Sequence, residues 1–584
     1  MDLYEKGVVD SGSNVNTKRS TFDLSHSYKS GVRSGLLIPF FMEEVLPGDT
    51  FSVGTSFVTR MLTPAVPVMD NAFLDYFFFY VPARIACNKE GIDDKTFQRV
   101  MGENTTTAWA SQNLPEMPSV NLYDVFMAVN NWCNTNVSGY GAMSNANKYK
   151  EVLKKFSRTL WCYFGNPALP CLSTWNVSGV PSMSQAQMMK VKVTLAPFYA
   201  YQTIWNRRFR NENVTNPRYL SGAQLVISDP FELAKMHDVF TDALPAPQKG
   251  DSVALNFLSG FAPIDTSASF YNFGMNPPAM QTKYPTGGDV VLGLDGSSNM
   301  LDTTNASGIT LGDNPVVSSN LVANLNATTG NSVIDVNSLR FSLSLQSLYE
   351  LEARTGSRYK EQLMAQFNVE ARDLPLDDPE YLGGKHVPIN IDTVLATTGT
   401  STQALGDTGA FSNTYDNDGV FTKSFTQHGF VIGCFGIRTH QSYFQGISKK
   451  WRHLSKLDFF NRMFAHIGEQ PIKLSELYLA GTNDDHVFGY QEAWYEYRAH
   501  EDQITGSLNP IYGEEGLKKW TFANGFASTP SLSDAFMFQS PDNVGDTLVD
   551  TTAYTQFICD FYFNVIVARE LPLFSTPSSL IGRY

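Results

Sequence analysis

Charge is scarce in this chain of 584 residues: only 17% are Asp, Glu, Lys or Arg. No apolar run reaches the ~18 residues that a bilayer-spanning helix needs, so no membrane insertion is expected. The opening residues, MDLYEKGVVD, lack the basic-then-apolar layout of a secretory signal. The six cysteines (Cys87, Cys133, Cys162, Cys171, Cys434 and Cys559) are scattered without CxxC spacing. That argues against a disulfide or zinc framework and predicts buried free thiols in a reducing cytoplasm. Catalytic motifs are missing too: there is no HExxH and no GxSxG. Gly384-Lys385 resembles the end of a phosphate loop, but Pro379 and His386 occupy positions that need Gly and Ser or Thr. Asp416, Asp418 and Gly419 suggest a calcium loop, yet its first and twelfth places fall on Thr414 and Phe425. The nine histidines do not cluster with Cys or carboxylates at ligand spacing, and no cofactor is expected. A triad assembled from distant residues is not excluded by missing motifs.

Aromatic residues are abundant, at 13%. Low charge with many Phe and Tyr suits a chain that buries surface against partners as well as within itself. The net charge of -14 makes the whole chain a poor binder of nucleic acid, so any such contact must be local or come through a basic partner. The length exceeds a usual single core and predicts either several packing units or one core with large insertions.

The stretch Leu36–Pro82 reads as three strands. Leu36–Val45 is nearly all apolar, and Pro47-Gly48-Asp49 forces a turn. Phe51, Val53, Thr55, Phe57, Thr59 and Met61 then fall on one face of a half-buried strand. Pro64 and Pro67 interrupt pairing. Ala72–Val81 is aromatic on both faces, so both must be covered.

These residues carry a family resemblance. LPGDTF followed by PVMDNAFLDYFFFYVPAR is similar to the major capsid proteins of the microviruses, small tailless single-stranded DNA phages, and within them to the gokushovirus branch. YLGGKHVPIN (Tyr381–Asn390), FTKSFTQHGFVIG (Phe421–Gly433) and FGYQEAWYEYR (Phe488–Arg498) match in the expected order. The resemblance implies a mainly β fold, an eight-stranded viral jelly roll with large α-helical and loop insertions. It also implies a homo-oligomeric icosahedral (T=1) shell around a circular single-stranded DNA genome, assembled in the host bacterial cytoplasm. The implied partners are a small basic DNA-packaging protein, a pilot protein, an internal scaffolding protein and a host surface receptor.

Residues 1–35 form a polar arm ahead of a jelly-roll domain over 36–584. Its Lys18, Arg19, Tyr28, Lys29 and Arg33 either touch DNA phosphates and bases or belong to an arm that laces neighbouring subunits. A helical insertion is expected over 84–211. Leu122, Val125, Phe126 and Val129 keep helical spacing, as do Tyr149, Val152, Leu153, Phe156 and Leu160, with Gly165 and Pro167 as stops. Pro197 opens a third segment with Phe198, Tyr201 and Trp205 on one face. WNRRFR (205–210) reads as a helix with a solvated basic face, or as a nucleic-acid contact. Tyr284–Leu339 holds no Lys or Arg, and its apolar pairs predict short strands in a surface excursion. The resemblance places a surface protrusion for host attachment at 251–338. Phe341, Leu345 and Leu348, then Tyr359, Leu363 and Phe367, predict two helices divided at Gly356. Thr422–Ile437 is strand-like, with Gly433 and Gly436 permitting close approach. Phe557–Val567 alternates and fits a strand closing a jelly roll.

Ile447–Lys456 (ISKKWRHLSK) is the densest basic cluster and reads as an exposed turn, or as a DNA or subunit contact. Asp484-Asp485-His486 suits a polar turn, or a divalent ion at a subunit contact. In FGYQEAWYEYR, an enzyme would use Glu492 and Glu496 as an acid/base pair in an aromatic sugar groove. A shell protein would use Tyr490, Glu492, Trp494, Tyr497 and Arg498 as an internal or intersubunit cluster. The resemblance favours the second and leaves a β-sandwich carbohydrate-binding protein or glycosidase as the alternative.

Overall fold

The computed structural model describes residues 19–87, 116–248, 336–355, 378–395, 408–479, 485–512 and 517–571. It also describes Phe97, Val100 and the backbone of strands at 291–294 and 301–304. The strands that organise it are β1 (Ser20–Asp23), β2 (His26–Val32), β3 (Ile38–Val45), β4 (Thr50–Met61), β5 (Ala72–Pro82), β6 (Glu380–Ile389), β7 (Thr414–Ser424), β8 (Gly429–Thr439), β9 (Glu469–Lys473), β10 (Val487–Glu492) and β11 (Phe557–Arg569). The principal helices are α1 (Leu122–Asn136), α2 (Asn145–Phe156), α3 (Ala196–Ile204) and α4 (Val336–Thr355).

Two antiparallel sheets dominate, as a mainly β sandwich requires. In the first, β11 lies between β4 and the pair β1/β2, and β7 forms the far edge. The second has the order β6–β5–β8–β3. β1 and β2 pair with β11 in one unbroken register, from Ser20 opposite Arg569 to Val32 opposite Phe557. They are one strand interrupted at Leu24-Ser25.

The first sheet keeps the period of two that its sequence carries. Phe51, Val53, Thr55, Phe57, Thr59 and Met61 are all buried, while Ser52 and Arg60 face outward. On β11, Phe557, Cys559, Phe561, Phe563, Val565 and Val567 are buried, and Asp560 and Asn564 are exposed. The inward rings meet those of the second sheet. Phe40 lies 4.7 Å from Phe561 and 5.1 Å from both Phe435 and Phe563, in tilted or edge-to-face geometry that suits their quadrupoles.

The second sheet is covered on both faces. On β8, Val431, Phe435 and Ile437 point into the sandwich, whereas Phe430, Ile432 and Cys434 point into a helical layer. β5 divides in the same way, with Leu74, Tyr76 and Phe78 on one side and Phe79 and Val81 on the other. α1, α2 and α3 supply the cover through Phe126, Val129, Val152, Phe156, Tyr201 and Ile204. The surplus of aromatics on this strand thus has an intramolecular explanation. A Cβ on Gly433 would stand 2.7 Å from Phe40, and one on Gly436 would stand 2.5 Å from Leu233. Both glycines let a neighbour close onto the sheet.

Some boundaries differ from the sequence reading. α2 ends at Phe156, and Leu160 starts a separate turn, Leu160–Tyr163. Its amide donates to Ser228 O at 2.9 Å, a bond no helix periodicity could foretell. Thr422–Ile437 is not one strand but parts of β7 and β8, broken where Phe425 packs its ring on Tyr80 at 4.6 Å. WNRRFR forms a π-helical turn over Trp205–Phe209 after α3. Its basic face is part solvated and part used within the chain: Arg208 is exposed yet donates to Pro379 O at 2.7 Å, Arg207 is half-buried 3.7 Å from Asp378, and Arg210 is turned inward to donate to Thr215 O at 2.8 Å. Five cysteines are buried as expected, but Cys162 is exposed.

Residues 83–379 all belong to one connection, between β5 and β6. Within it, residues 248–352 form a second compact unit. That unit holds an antiparallel hairpin, Val291–Leu294 with Leu301–Thr304, and most of α4. α4 ends at Thr355, just before Gly356. Its Phe341 and Leu348 are exposed rather than buried in a stripe. The apolar pairs Val316-Val317 and Leu321-Val322 and the second helix expected through Tyr359, Leu363 and Phe367 lie outside the described residues.

Candidate functional site

FGYQEAWYEYR is built from β10 and the turn that follows. β10 pairs with β9 and bridges back to Leu244 through the Tyr490 backbone. Trp494 then takes a left-handed backbone conformation (φ 67°), which for a bulky side chain costs of order 1–3 kcal/mol and needs compensation. The compensation is visible. Its indole N–H donates to Phe464 O at 2.9 Å, and its ring meets Phe460 edge-on at 5.5 Å. Tyr497 is exposed and stacks on His453.

The two glutamates of this stretch part company. Glu492 is half exposed and ion-paired with Arg498. The Glu496 side chain is 2% exposed, with Lys449 Nζ at 3.1 Å and His453 Nε2 at 3.6 Å, and neither carboxylate oxygen accepts a hydrogen bond. Glu492 lines a cavity of about 420 Å³ with His237, Phe240, His440, Tyr443 and Glu501, and Glu496 does not. The acid/base pair that an enzyme would need therefore does not face a common groove. Nearby, Tyr495 donates its hydroxyl to buried Glu476, and burial raises the Glu476 carboxyl. Burial, and then Glu476 itself, pushes Glu501 up to about 7.

The basic run 447–456 is anchored as well as exposed. Lys449 reaches Gln470 at 3.0 Å, and Arg452 reaches Ser475 and Asp485. Lys473 also binds Asp485, at 2.9 Å, so that carboxylate serves two cations of its own chain. Asp484 lies outside the described residues. Among the described residues, no group of His, Cys, Asp and Glu could hold a metal ion. Lys385 sits 2.8 Å from Asp416 and 3.2 Å from Asp418, giving a structural use to the three charged residues of the failed loop motifs.

The N-terminal candidates sit in the first sheet. Arg19 donates to Gly48 O (2.5 Å) and Thr50 Oγ1 (2.9 Å), closing the Pro47-Gly48-Asp49 turn. Arg569 holds the same turn from the other terminus, through Asp49 Oδ2 at 2.8 Å. The Tyr28 hydroxyl donates to Tyr163 O at 3.1 Å, and burial raises its pKa. Arg33 pairs with Asp542 at 3.2 Å and lies over the Tyr554 ring. Lys29 is the outward one: its side chain is 71% exposed, 3.6 Å from Asp560. Lys18 lies outside the described residues.

Sequence reasoning missed one constellation, in which the buried Asp75 carboxylate on β5 meets Arg438 from β8 and His386 from β6. The signal was present, since Asp75 lies in the middle of a strand that is aromatic on both faces, where a carboxylate is buried whichever face it takes.

A family model described as "Capsid protein (F protein)" matches residues 13–114 and 169–579. The chain is 30% identical to "Capsid protein VP1" of Bdellovibrio phage phiMH2K, over 98% of this chain and 97% of that protein. It is 29% identical to "Capsid protein VP1" of Chlamydia phage 1 (96% and 95%) and 28% identical to that of Spiroplasma virus 4 (96% and 95%).

Proposed function

Because this chain belongs to the F capsid protein family of the microviruses, as the major capsid protein of a gokushovirus-like phage, we propose that it closes a T=1 icosahedral shell around circular single-stranded DNA. Membership itself places the protein in the virion, in many copies and in a structural role. The observation that carries the proposal further is the strand order. With β1 and β2 counted as one strand, β2–β11–β4–β7 faces β3–β8–β5–β6. Successive strands change sheet at every step except β5 to β6, which pair. That order supports an eight-stranded jelly roll, the double-sheet pair of Greek keys of viral shells.

In this reading residues 84–211 brace the outer face of the second sheet, and 251–338 carry host attachment. Of residues 1–35, Lys18 and the outward Lys29 meet the genome, while Ser20–Val32 serves as a strand of the sandwich. A small basic packaging protein supplies most of the charge neutralisation, because the capsid chain itself is acidic. An internal scaffolding protein and a pilot protein complete the assembly set, and shells form in the bacterial cytoplasm. The aromatic platform around Trp494 and the Glu492–Arg498 pair serve as structural supports.

The test is electron microscopy of the chain co-expressed with its scaffolding protein. Closed particles of uniform size are expected. A monodisperse monomer at high concentration, with the scaffolding protein present, would refute the shell role.

A further inference from the structure

We propose that the bulge Trp451–Met463 is a principal contact between copies of this chain, an inference that rests on the capsid reading. Six large apolar side chains of this segment are exposed: Trp451, Leu454, Leu457 and Met463 largely so, and Phe459 and Phe460 by about half, resting on His453 and Trp494. Leu454 and Met463 are 90% and 87% exposed. At roughly 150–200 Å² for each side chain fully bared, the patch amounts to roughly 600–850 Å². That lies at or above the ~300–600 Å² largest patch of ordinary monomers and is comparable with the ~800 Å² per partner of a stable interface.

The bulge is held in shape rather than left loose. Asp458 accepts from the Leu454 and Ser455 amides at 3.0 and 2.6 Å, and these bonds lower its pKa. Lys449 and Arg452 tie its base to Glu496 and Asp485, and Trp494 holds Phe464 O. Preorganisation of this kind lowers the ordering cost of association.

Composition and charge select the occupant. Aliphatic tips at Leu454, Leu457 and Met463 have no use for a base or a phosphate. They suit an apolar pocket ringed by polar groups, the anatomy of a protein interface. Lys450, Lys456 and Arg462 are exposed around them, making the rim basic on a chain whose net charge is -14. A second copy therefore presents, on average, the complementary sign.

The experiment compares wild type with the double variant Leu454→Glu/Met463→Glu, each co-expressed with the scaffolding protein and sized by sedimentation and electron microscopy. Two charges forced into a dry contact should cut the assembled fraction about tenfold or more. Circular dichroism should show the variant subunit still folded, because both side chains are in solvent in the single chain. Hydroxyl-radical footprinting of wild type supplies a second readout, with Trp451 and Met463 expected to be protected in particles and oxidised in dissociated subunits. Normal assembly of the variant, with Trp451 and Met463 oxidised equally in both states, would overturn the proposal while leaving the capsid role intact. Normal particle yield with reduced DNA content would also overturn it and assign the bulge to the genome. Failure of wild type itself to form particles would instead strike the capsid reading.

Discussion

Arg438 lays Nε and Nη2 against a single oxygen of Asp75, 2.6 and 2.5 Å away, across neighbouring strands of the second sheet. His386, from the strand on the other side of β5, takes the second oxygen, and Phe73 stacks on its ring at 4.2 Å. One buried carboxylate thus ties three strands together. Asp75→Ala removes the acceptor and leaves two donors, partly open to water, without it. The expected loss is about 3 kcal/mol, the lower end for breaking a buried pair. Urea unfolding of the dissociated subunit checks this, and a loss well under 1 kcal/mol would mean that the pair is ornamental.

Gly433→Ala should destabilise the subunit by about 1–3 kcal/mol, because the new methyl meets Phe40, Phe41 and Phe78 in the ring cluster between the sheets. Gly419→Ala is the control. Nothing lies within 4 Å of the Cβ it would add, so it should be close to neutral. Equal unfolding midpoints for the two variants would contradict the packing argument.

Stability should depend on pH through Glu501. An ordinary glutamate titrates near 4.5, and burial followed by Glu476 raises this one to about 7. Asp238 adds to the rise, while His500 and Lys450 oppose it. The fold therefore favours the protonated form. Its contribution is complete below pH 4.5 and is lost as pH climbs through 7. Glu501→Gln should flatten the fall in stability between pH 5 and 8. Parallel pH profiles for wild type and variant would exclude Glu501 as the source.

DNA contact by the N-terminal strand is best tested with Lys18→Glu/Lys29→Glu. Arg19 and Arg33 are unsuitable, because one closes a turn and the other pairs with Asp542. Packaged DNA or particle stability should fall, most clearly at low salt, because each lost phosphate contact also lowers the salt dependence. Normal genome content in purified particles would remove the arm from consideration.

Replacing Asp251–Ser338 by a short Gly/Ser linker should leave particles that form but attach poorly to cells. Loop-closure cost changes slowly with length, so the sandwich should tolerate the exchange. Unimpaired attachment would end the receptor assignment. Failure to assemble would mean that the segment also knits subunits together.

Much of the sandwich was legible because strand burial has a period of two. Phe51 to Met61 and Phe557 to Val567 declared their inner faces, and the doubly aromatic Ala72–Val81 declared a covered sheet. The break between β7 and β8 was harder to see, since Phe425 is as apolar as the strands it separates and turns there to pack on Tyr80. The site was less legible than the fold. Arg19, Arg33 and the arginines of WNRRFR look alike in sequence whether they meet phosphate, solvent or a carbonyl of their own chain. Glu492 and Glu496, four residues apart, read as a pair until the left-handed turn at Trp494 sends them to different surroundings.

The sequence by itself determined the strands, the helices that cover them and the family, because periodicity, turn residues and local motifs are properties of neighbours along the chain. Tertiary structure alone decided which charges are spent inside the protein and which apolar side chains remain outside. Asp75 finds Arg438 across 363 residues, whereas Leu454 and Met463, as apolar as any core residue, find nothing among the described residues to cover them. Burial is a relation between distant segments, and only the folded chain states it.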